Sequence, residues 1–322
     1  MLYLGVDLGG TNIKAALVTN GGDIVCEGTR PTNLPRPAEA VCDDIAALCA
    51  ELAHGCDCGV LANGEIGGIG VGCPGTVDDA AGMVLYSNNL AWKRFAMAEY
   101  LRQKTGLPIY LVNDANAAAL GEAVAGCAKN TESAVILTLG TGVGGGVVLG
   151  GKLLTGYTGA AAEPGHMAVA DGPDAALCTC GRHGCLEAYA SATALIRMTK
   201  QAMDCHPESL MHALARQDGV TGRTAFDAKA AGDSAATAVV AQYVHYLGAG
   251  VANLINIFFP EVIGLSGGVA NQGENLLAPL RAEVEPQVFG QAYAVKKTKI
   301  VCCTLGYRAG VIGAALLARH NG

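Results

Sequence analysis

Two stretches, Asp7-Leu8-Gly9-Gly10-Thr11-Asn12-Ile13-Lys14 and Leu139-Gly140-Thr141-Gly142-Val143-Gly144-Gly145-Gly146, each put a glycine turn between two β-prone runs, one in each half of the chain. Glycines at such a junction let backbone N–H groups approach an anion, because no Cβ stands in the way. The second stretch contains a G-x-G-x-G string. Val147 to Leu149 continues as a strand where a Rossmann fold needs a helix, so that order is absent. Two strand-turn-strand loops of this kind suit a triphosphate held from both sides.

The segments around the loops repeat a plan. Leu2 to Val6, Lys14 to Val18 and Asp23 to Thr29 read as a meander. A helix over Pro37 to Ala53, a strand over Ile66 to Gly72, a helix over Trp92 to Thr105 and a strand over Ile109 to Val112 follow. That strand ends at Asn113-Asp114, and a helix over Ala115 to Cys127 comes next. The meander restarts after Ser133 with Ala134 to Leu139, Val147 to Leu149 and Lys152 to Leu154. Helices are predicted over Glu187 to Met203, Glu208 to Arg216 and Ser234 to Phe258. A strand over Val262 to Leu265, another helix, a strand over Lys299 to Cys303 and a helix over Tyr307 to Arg319 close the chain. With 322 residues, this predicts two α/β domains facing a cleft.

Composition narrows the partners. Hydrophobic residues are 51% and charged residues 15%, which excludes a disordered chain. The net charge of -7 comes without a basic run, so neither nucleic acid nor an anionic membrane surface is an expected partner. Ser133 to Gly151 is uncharged, but its glycines and threonines break it into strand, turn and strand rather than a membrane span. The N-terminus has no basic region before Asp7, so a cytoplasmic location is expected. Thirteen cysteines, an odd number in a long chain, read as reduced thiols.

Several residues carry candidate chemistry. Gly9 and Gly10 open a backbone cradle, Asp7 can hold a metal-bound water, and Thr11 or Lys14 a phosphate oxygen; the plain alternative is a permissive hairpin. Gly267-Gly268, at a strand end, suits close approach of a nucleoside or a simple turn. Asp114 stands where open α/β sheets put ligands, and is either a helix N-cap or a general base. His166 with Cys178-x-Cys180-Gly181-x-x-Gly184-Cys185-x-Glu187 is the most specific signal. One histidine and three thiols, His166, Cys178, Cys180 and Cys185, supply the four ligands of a closed zinc site; the plain alternative is a group of inert reduced cysteines. Glu163 and Glu187 flank this cluster and would be fixed by it, ready for bidentate contacts to adjacent sugar hydroxyls.

In this order the motifs resemble the ROK family over essentially the whole chain. Asp7 to Lys14 is similar to its first phosphate loop and Leu139 to Gly146 to its second. Cys73-Pro74-Gly75-x-Val77-Asp78 and Asn88-Asn89-Leu90-x-Trp92 are similar to its sugar-side segments, and Glu163-x-Gly165-His166 with Cys178 to Glu187 to its sugar-and-zinc signature. The chain departs from the family pattern at Ala162, usually glycine, and at Pro164, usually a larger aliphatic residue. The resemblance implies a two-domain actin-like ATPase (RNase H-like) fold, with residues 1–112 and 305–322 as a small domain and 113–304 as a large one. It also implies ATP-dependent phosphorylation of a hexose, glucose first, with Mg²⁺ at the phosphates, a structural Zn²⁺ and a homodimer or homotetramer. Fructose, mannose, N-acetylmannosamine or N-acetylglucosamine are the alternative acceptors, and a non-catalytic sugar sensor is the alternative class. Carried over, Asp114 is the base; Asn89, Asn113, Glu163, His166 and Glu187 are sugar contacts. A sugar-sensing repressor would need a DNA-binding segment ahead of the first loop, which already begins at Asp7.

Overall fold

The structure, a computed structural model, describes residues 1–55, 66–290, 293 and 295–321. The chain separates into two compact units: residues 1–134, 146–162 and 304–322, and residues 135–145 with 163–303.

The first unit is built on a sheet of β1 (Leu2–Leu8), β2 (Asn12–Thr19), β3 (Ile24–Pro31), β4 (Ile66–Cys73) and β8 (Ile109–Asn113), ordered β3-β2-β1-β4-β8. β1 pairs antiparallel with β2 and parallel with β4, and β4 pairs parallel with β8. The chain alternation of β1 serves two layers. Leu2, Leu4, Val6 and Leu8 join Val41, Ile45 and Leu48 of helix α1 (Ala38–Gly55) in one core, while Tyr3 turns to Val311 and Ala315 of helix α10 (Ala309–Asn321) in another. Glycine is required on the α10 side. A Cβ at Gly70 of β4 would overlap the carbonyl of Ala314, and one at Gly313 would overlap that of Ala117 in helix α3 (Asp114–Val124), so these backbones touch directly.

A smaller sheet of β5 (Thr76–Asp78), β6 (Met83–Ser87) and β7 (Trp92–Phe95) lies in the same unit. It corrects the predicted helix over Trp92 to Thr105. Trp92 and Phe95 have helical spacing, but they pair with Ser87 and Val84 of β6, and Arg94 has a φ of 49°. Helix α2 therefore starts only at Met97 and ends at Thr105, where Gly106 takes the left-handed cap. Residues 113–134, which the sequence put with the second domain, group with the first unit because α3 packs on α10.

The second five-stranded sheet runs β11 (Lys152–Leu153), β10 (Val143–Leu149), β9 (Ala134–Leu139), β12 (Val262–Ser266) and β13 (Lys299–Cys302). Ser133 to Gly151 is thus strand, turn and strand, as expected. The predicted helix over Glu187 to Met203 is instead two, α4 (Glu187–Ala190) and α5 (Ala192–Cys205). Ser191 between them is extended and caps α5 through Ala194 N–H. Helix α6 (Met211–Asp218) starts later than predicted because Asp233 holds Ser209 and Leu210. A further helix, α7 (Thr224–Ala230), had no periodic signal. Helix α8 (Ser234–Phe258) matches its prediction, and α9 (Glu274–Val284) follows β12. α8 is long and apolar enough to cross a membrane, but its Val240, Tyr243, Leu247 and Val251 are buried inside the protein. Ten of the described cysteines form no disulfide, whereas Cys26 is disulfide-bonded, which corrects the reading of all thiols as reduced.

Candidate active site

In the first unit the C-terminal ends of three parallel strands converge. Asp7 is level with Gly72 of β4, and Cys73 is level with Asn113 of β8. Beyond β1 the Gly9 to Thr11 turn is pinned by the buried Thr32, whose hydroxyl donates to Gly9 O at 2.7 Å and whose N–H donates to Thr11 O at 2.8 Å. Gly10 and Thr11 are exposed above this anchor, and a Cβ on Gly10 would lie 3.9 Å from the carbonyl of Asn89. The structure thus brings Asn89 to the first glycine loop.

Asn113, not Asp114, is the N-cap of α3. Its Oδ1 accepts from Ala115 N–H at 2.9 Å and Asn116 N–H at 3.2 Å, while its Nδ2 donates to Gly75 O at 3.0 Å. The same amide also hydrogen-bonds the neighbouring Asp114 carboxylate. Asp114 accepts from Ala115 N–H at 2.9 Å, and its own N–H and the Asn113 side chain also favour its charged form. Burial raises its pKa above the usual carboxylate range, against the lowering effect of that N–H and of Asn113. Asp7 is raised too, by burial first; Lys14 across the β1–β2 pair opposes this and Asp114 reinforces it. Two buried carboxyls, with the Asp114 charge felt at Asp7, beside a backbone cradle form a site able to take a proton and to face a cation. Lys14 Nζ lies 5.4 Å from the centre of the Tyr307 ring, and the Arg308 guanidinium lies 5.5 Å from the same ring.

In the second unit, Gly140 to Gly142 turn between β9 and β10, closed by Gly140 N–H to Gly142 O at 3.0 Å. Gly267 ends the neighbouring strand β12 with a φ of 88°, and a Cβ there would overlap the carbonyl of Leu139. Both glycine pairs therefore sit at one edge of the sheet. Gly268 lines a cavity of about 570 Å³ together with Ala192, Thr221, Arg223, Val269 and Asn271. That volume suits a nucleoside-sized group.

The cysteine segment folds back as a loop bridged at Ala168–Cys185 and Leu177–His183. Cys178 N–H donates to Arg182 O at 2.8 Å, and Gly181 turns with a φ of 86°. Ligand atoms of His166, Cys178, Cys180 and Cys185 all lie within 4.8 Å of one another. His166 Nδ1 is 3.7 Å from Cys178 Sγ, and the Cys180 and Cys185 sulfurs are 3.8 Å apart. A tetrahedron with zinc–sulfur bonds of ~2.3 Å has edges of ~3.8 Å, so the four residues fit such an ion. Burial pushes the Cys185 thiol up to about 12 and raises Cys178 as well, so a bound cation is what would draw their protons off. The Glu163 to His166 turn rests on β10, where a Cβ at Gly165 would overlap Val143 O. Glu163 is exposed and His166 partly buried. Glu187 begins α4, and its carboxylate accepts from Thr179 Oγ1 at 2.7 Å and from Val143 N–H at 3.0 Å. Neither Thr179 nor the Val143 amide carries any sequence signal.

Residues 3–321 of this chain match the ROK family. The chain belongs to the ROK family. A glucokinase of Halalkalibacterium halodurans is 37% identical over 99% of this chain and 95% of its own length. Among solved ROK structures, a glucokinase from Streptomyces griseus in complex with glucose and AMPPNP is 36% identical, with a TM-score of 0.78 over 99% of this chain and 100% of that one. A ROK hexokinase from Thermus thermophilus is 35% identical, with a TM-score of 0.81 over 100% and 99%. The fold is thus the two-domain α/β arrangement of ROK sugar kinases, the actin-like ATPase fold.

Proposed function

We propose that this protein transfers the γ-phosphoryl group of ATP to a hexose, glucose before others, forming glucose 6-phosphate. The observation that carries the reading is the Asp114 carboxyl. It stands at the end of β8, with the cap of α3 supplied by Asn113, buried enough to bind a proton more tightly than usual, and close enough to Asp7 for its charge to be felt there. A general base needs this combination of access and raised proton affinity. Full-length similarity to glucokinases supports glucose as the acceptor.

In this reading Asp114 takes the proton from the attacking hydroxyl. Asn89, Asn113, Glu163, His166 and Glu187 hold the other hydroxyls; with Nδ1 turned to Cys178, His166 keeps Nε2 for the sugar. Gly9, Gly10, Thr11 and Lys14 serve the phosphates, as do Gly140, Thr141 and Gly142. Gly267 and Gly268 border the nucleoside cavity. Mg²⁺, when bound, supplies positive charge at the phosphates, and Asp7 is the residue to hold it through water. His166, Cys178, Cys180 and Cys185 hold a structural Zn²⁺: four protein ligands leave no open position for an activated water. A cytoplasmic enzyme is proposed, supported by the burial of α8. Assembly as a homodimer or homotetramer is also proposed, and exposed Ile257, Phe259 and Phe289 near the end of α8 favour it.

A coupled assay with ATP and a panel of glucose, fructose, mannose, N-acetylglucosamine and N-acetylmannosamine tests the reading. The highest kcat/KM is expected with glucose. Absence of turnover with every sugar would overturn the assignment.

A further inference from the structure

The Gly140 to Val143 loop is moored at three points to the segment that follows the cysteine cluster. Ala192 N–H donates to Gly140 O at 2.8 Å, Thr193 Oγ1 donates to Thr141 O at 2.8 Å, and Val143 N–H donates to Glu187 Oε2 at 3.0 Å. Of these, only the Glu187 bond uses a charged acceptor. The carboxylate lies so close to the loop that a Cβ on Gly142 would overlap Oε2.

The other oxygen of Glu187 faces the cysteine cluster. Oε1 accepts from Thr179 Oγ1 at 2.7 Å and from the Cys178 thiol at 3.5 Å. The Thr179 hydroxyl, at 2.7 Å, is the closer of these two donors to Oε1. Thr179 is exposed and sits between two candidate metal ligands, so its orientation follows from the turn the cluster forms. A carboxylate offers about four lone-pair sites, so two remain for ligand hydroxyls after Thr179 and Val143 are served.

We infer that Thr179 is a positioning residue: through Glu187 it ties the cysteine cluster to the Gly140–Val143 loop, so that one carboxylate aligns the sugar side and the phosphate side together. Thr179 touches no substrate. Its hydroxyl fixes the rotation of the Glu187 carboxylate, and that rotation decides whether Oε2 meets the Val143 amide. The inference rests on the kinase reading only for its turnover measurements, and the loop itself reports independently of turnover.

Thr179→Val keeps the shape of the side chain and removes the donor; Thr179→Ser keeps the donor. Hydrogen exchange of the 139–146 segment in the full-length, metal-loaded protein reads the mooring directly. Thr179→Val is expected to speed exchange of the Val143 amide about tenfold, the effect of losing one hydrogen bond to a charged group. It should also raise KM for both glucose and ATP several-fold, with metal content and Tm unchanged and with Thr179→Ser close to wild type. A merely structural role would not produce rescue by serine at constant Tm. Unchanged exchange at 139–146 in Thr179→Val would overturn the inference, as would a rise in KM for glucose alone, loss of the metal in that variant, or a serine variant as impaired as the valine one. Inactivity of the wild type towards every hexose would instead strike the kinase reading, leaving the exchange result to decide on Thr179.

Discussion

Asn113 caps helix α3 through Ala115 and Asn116, while its neighbour Asp114, which is not the cap, accepts from Ala115 N–H at 2.9 Å. The division of labour between the two side chains matters because capping and proton transfer compete for the same lone pairs. A cap carboxylate accepting two or three amides is held ionised with a low pKa, and makes a weak base.

Asp114→Asn is therefore expected to lower kcat by on the order of 10² to 10⁴ while leaving glucose affinity nearly intact. The helix keeps its cap in this variant, so circular dichroism should be unchanged. Turnover above about a tenth of the wild-type rate would remove Asp114 from the base role.

The same carboxyl sets a pH dependence. Its folded pKa is raised by burial, so the base becomes protonated at a pH above the usual carboxylate range, and the acid limb of kcat should lie there. For stability the sign is the reverse of a salt-bridged acid: the burial cost is present in full above the folded pKa and disappears as pH falls below the unfolded value. Asp114→Asn should accordingly match or exceed wild type in Tm at pH 7, with the difference shrinking towards pH 3. A variant less stable than wild type at pH 7 would contradict this.

The cysteine cluster yields a compositional test. Elemental analysis of protein purified without chelators should find one zinc per chain. Cys178→Ser combined with Cys180→Ser should abolish it and raise KM for glucose about tenfold or more, since His166 and Glu187 lose their common support. Wild-type protein free of zinc, or a metal-free variant with normal KM, would refute the site or its role respectively.

Glu122 makes a structural prediction away from the chemistry. It is 1% exposed and accepts from Cys127 N–H at 2.8 Å, Thr304 N–H at 3.1 Å and Leu305 N–H at 2.8 Å. Glu122→Gln turns one acceptor into a donor facing an amide, at a cost of ~2 kcal/mol or more. Tm should fall by ~5 °C or more in a thermal scan. An unchanged Tm would show that the three bonds contribute little.

Much of this architecture was legible because its signals are local. β-prone runs bounded by glycine gave the strand ends, and so the level at which Asp7, Gly10 and Asn113 meet; three thiols in eight residues announced the cluster at Cys178 to Cys185. What stayed hidden depends on partners far apart in the chain. Trp92 and Phe95 have helical spacing, and only pairing with β6 makes them a strand. Glu122 reads as one acid in an alanine-rich helix until Thr304 arrives 182 residues later. Thr179 lies between two cysteines, and its bond to Glu187 exists only once the loop from Ala168 to Cys185 has turned. Which of Asn113 and Asp114 caps α3 is a matter of one backbone rotation, to which composition is blind.

The backbone contact of α10 with Gly70 and with α3 bears on how the protein comes into being. The sheet layer that α10 covers is synthesised early, while its cover lies beyond residue 308 and follows the whole second unit. At roughly 5–20 residues per second, the Tyr3 and Val18 face of the sheet waits on the order of ten seconds or more for its partner. During that interval a strand face without polar cover is open to chaperones and to other nascent chains. The first unit is thus completed after the second, and ribosome-bound chains halted before Ala309 should remain open to protease in residues 2–31 and 109–124 even where residues 163–290 already resist it.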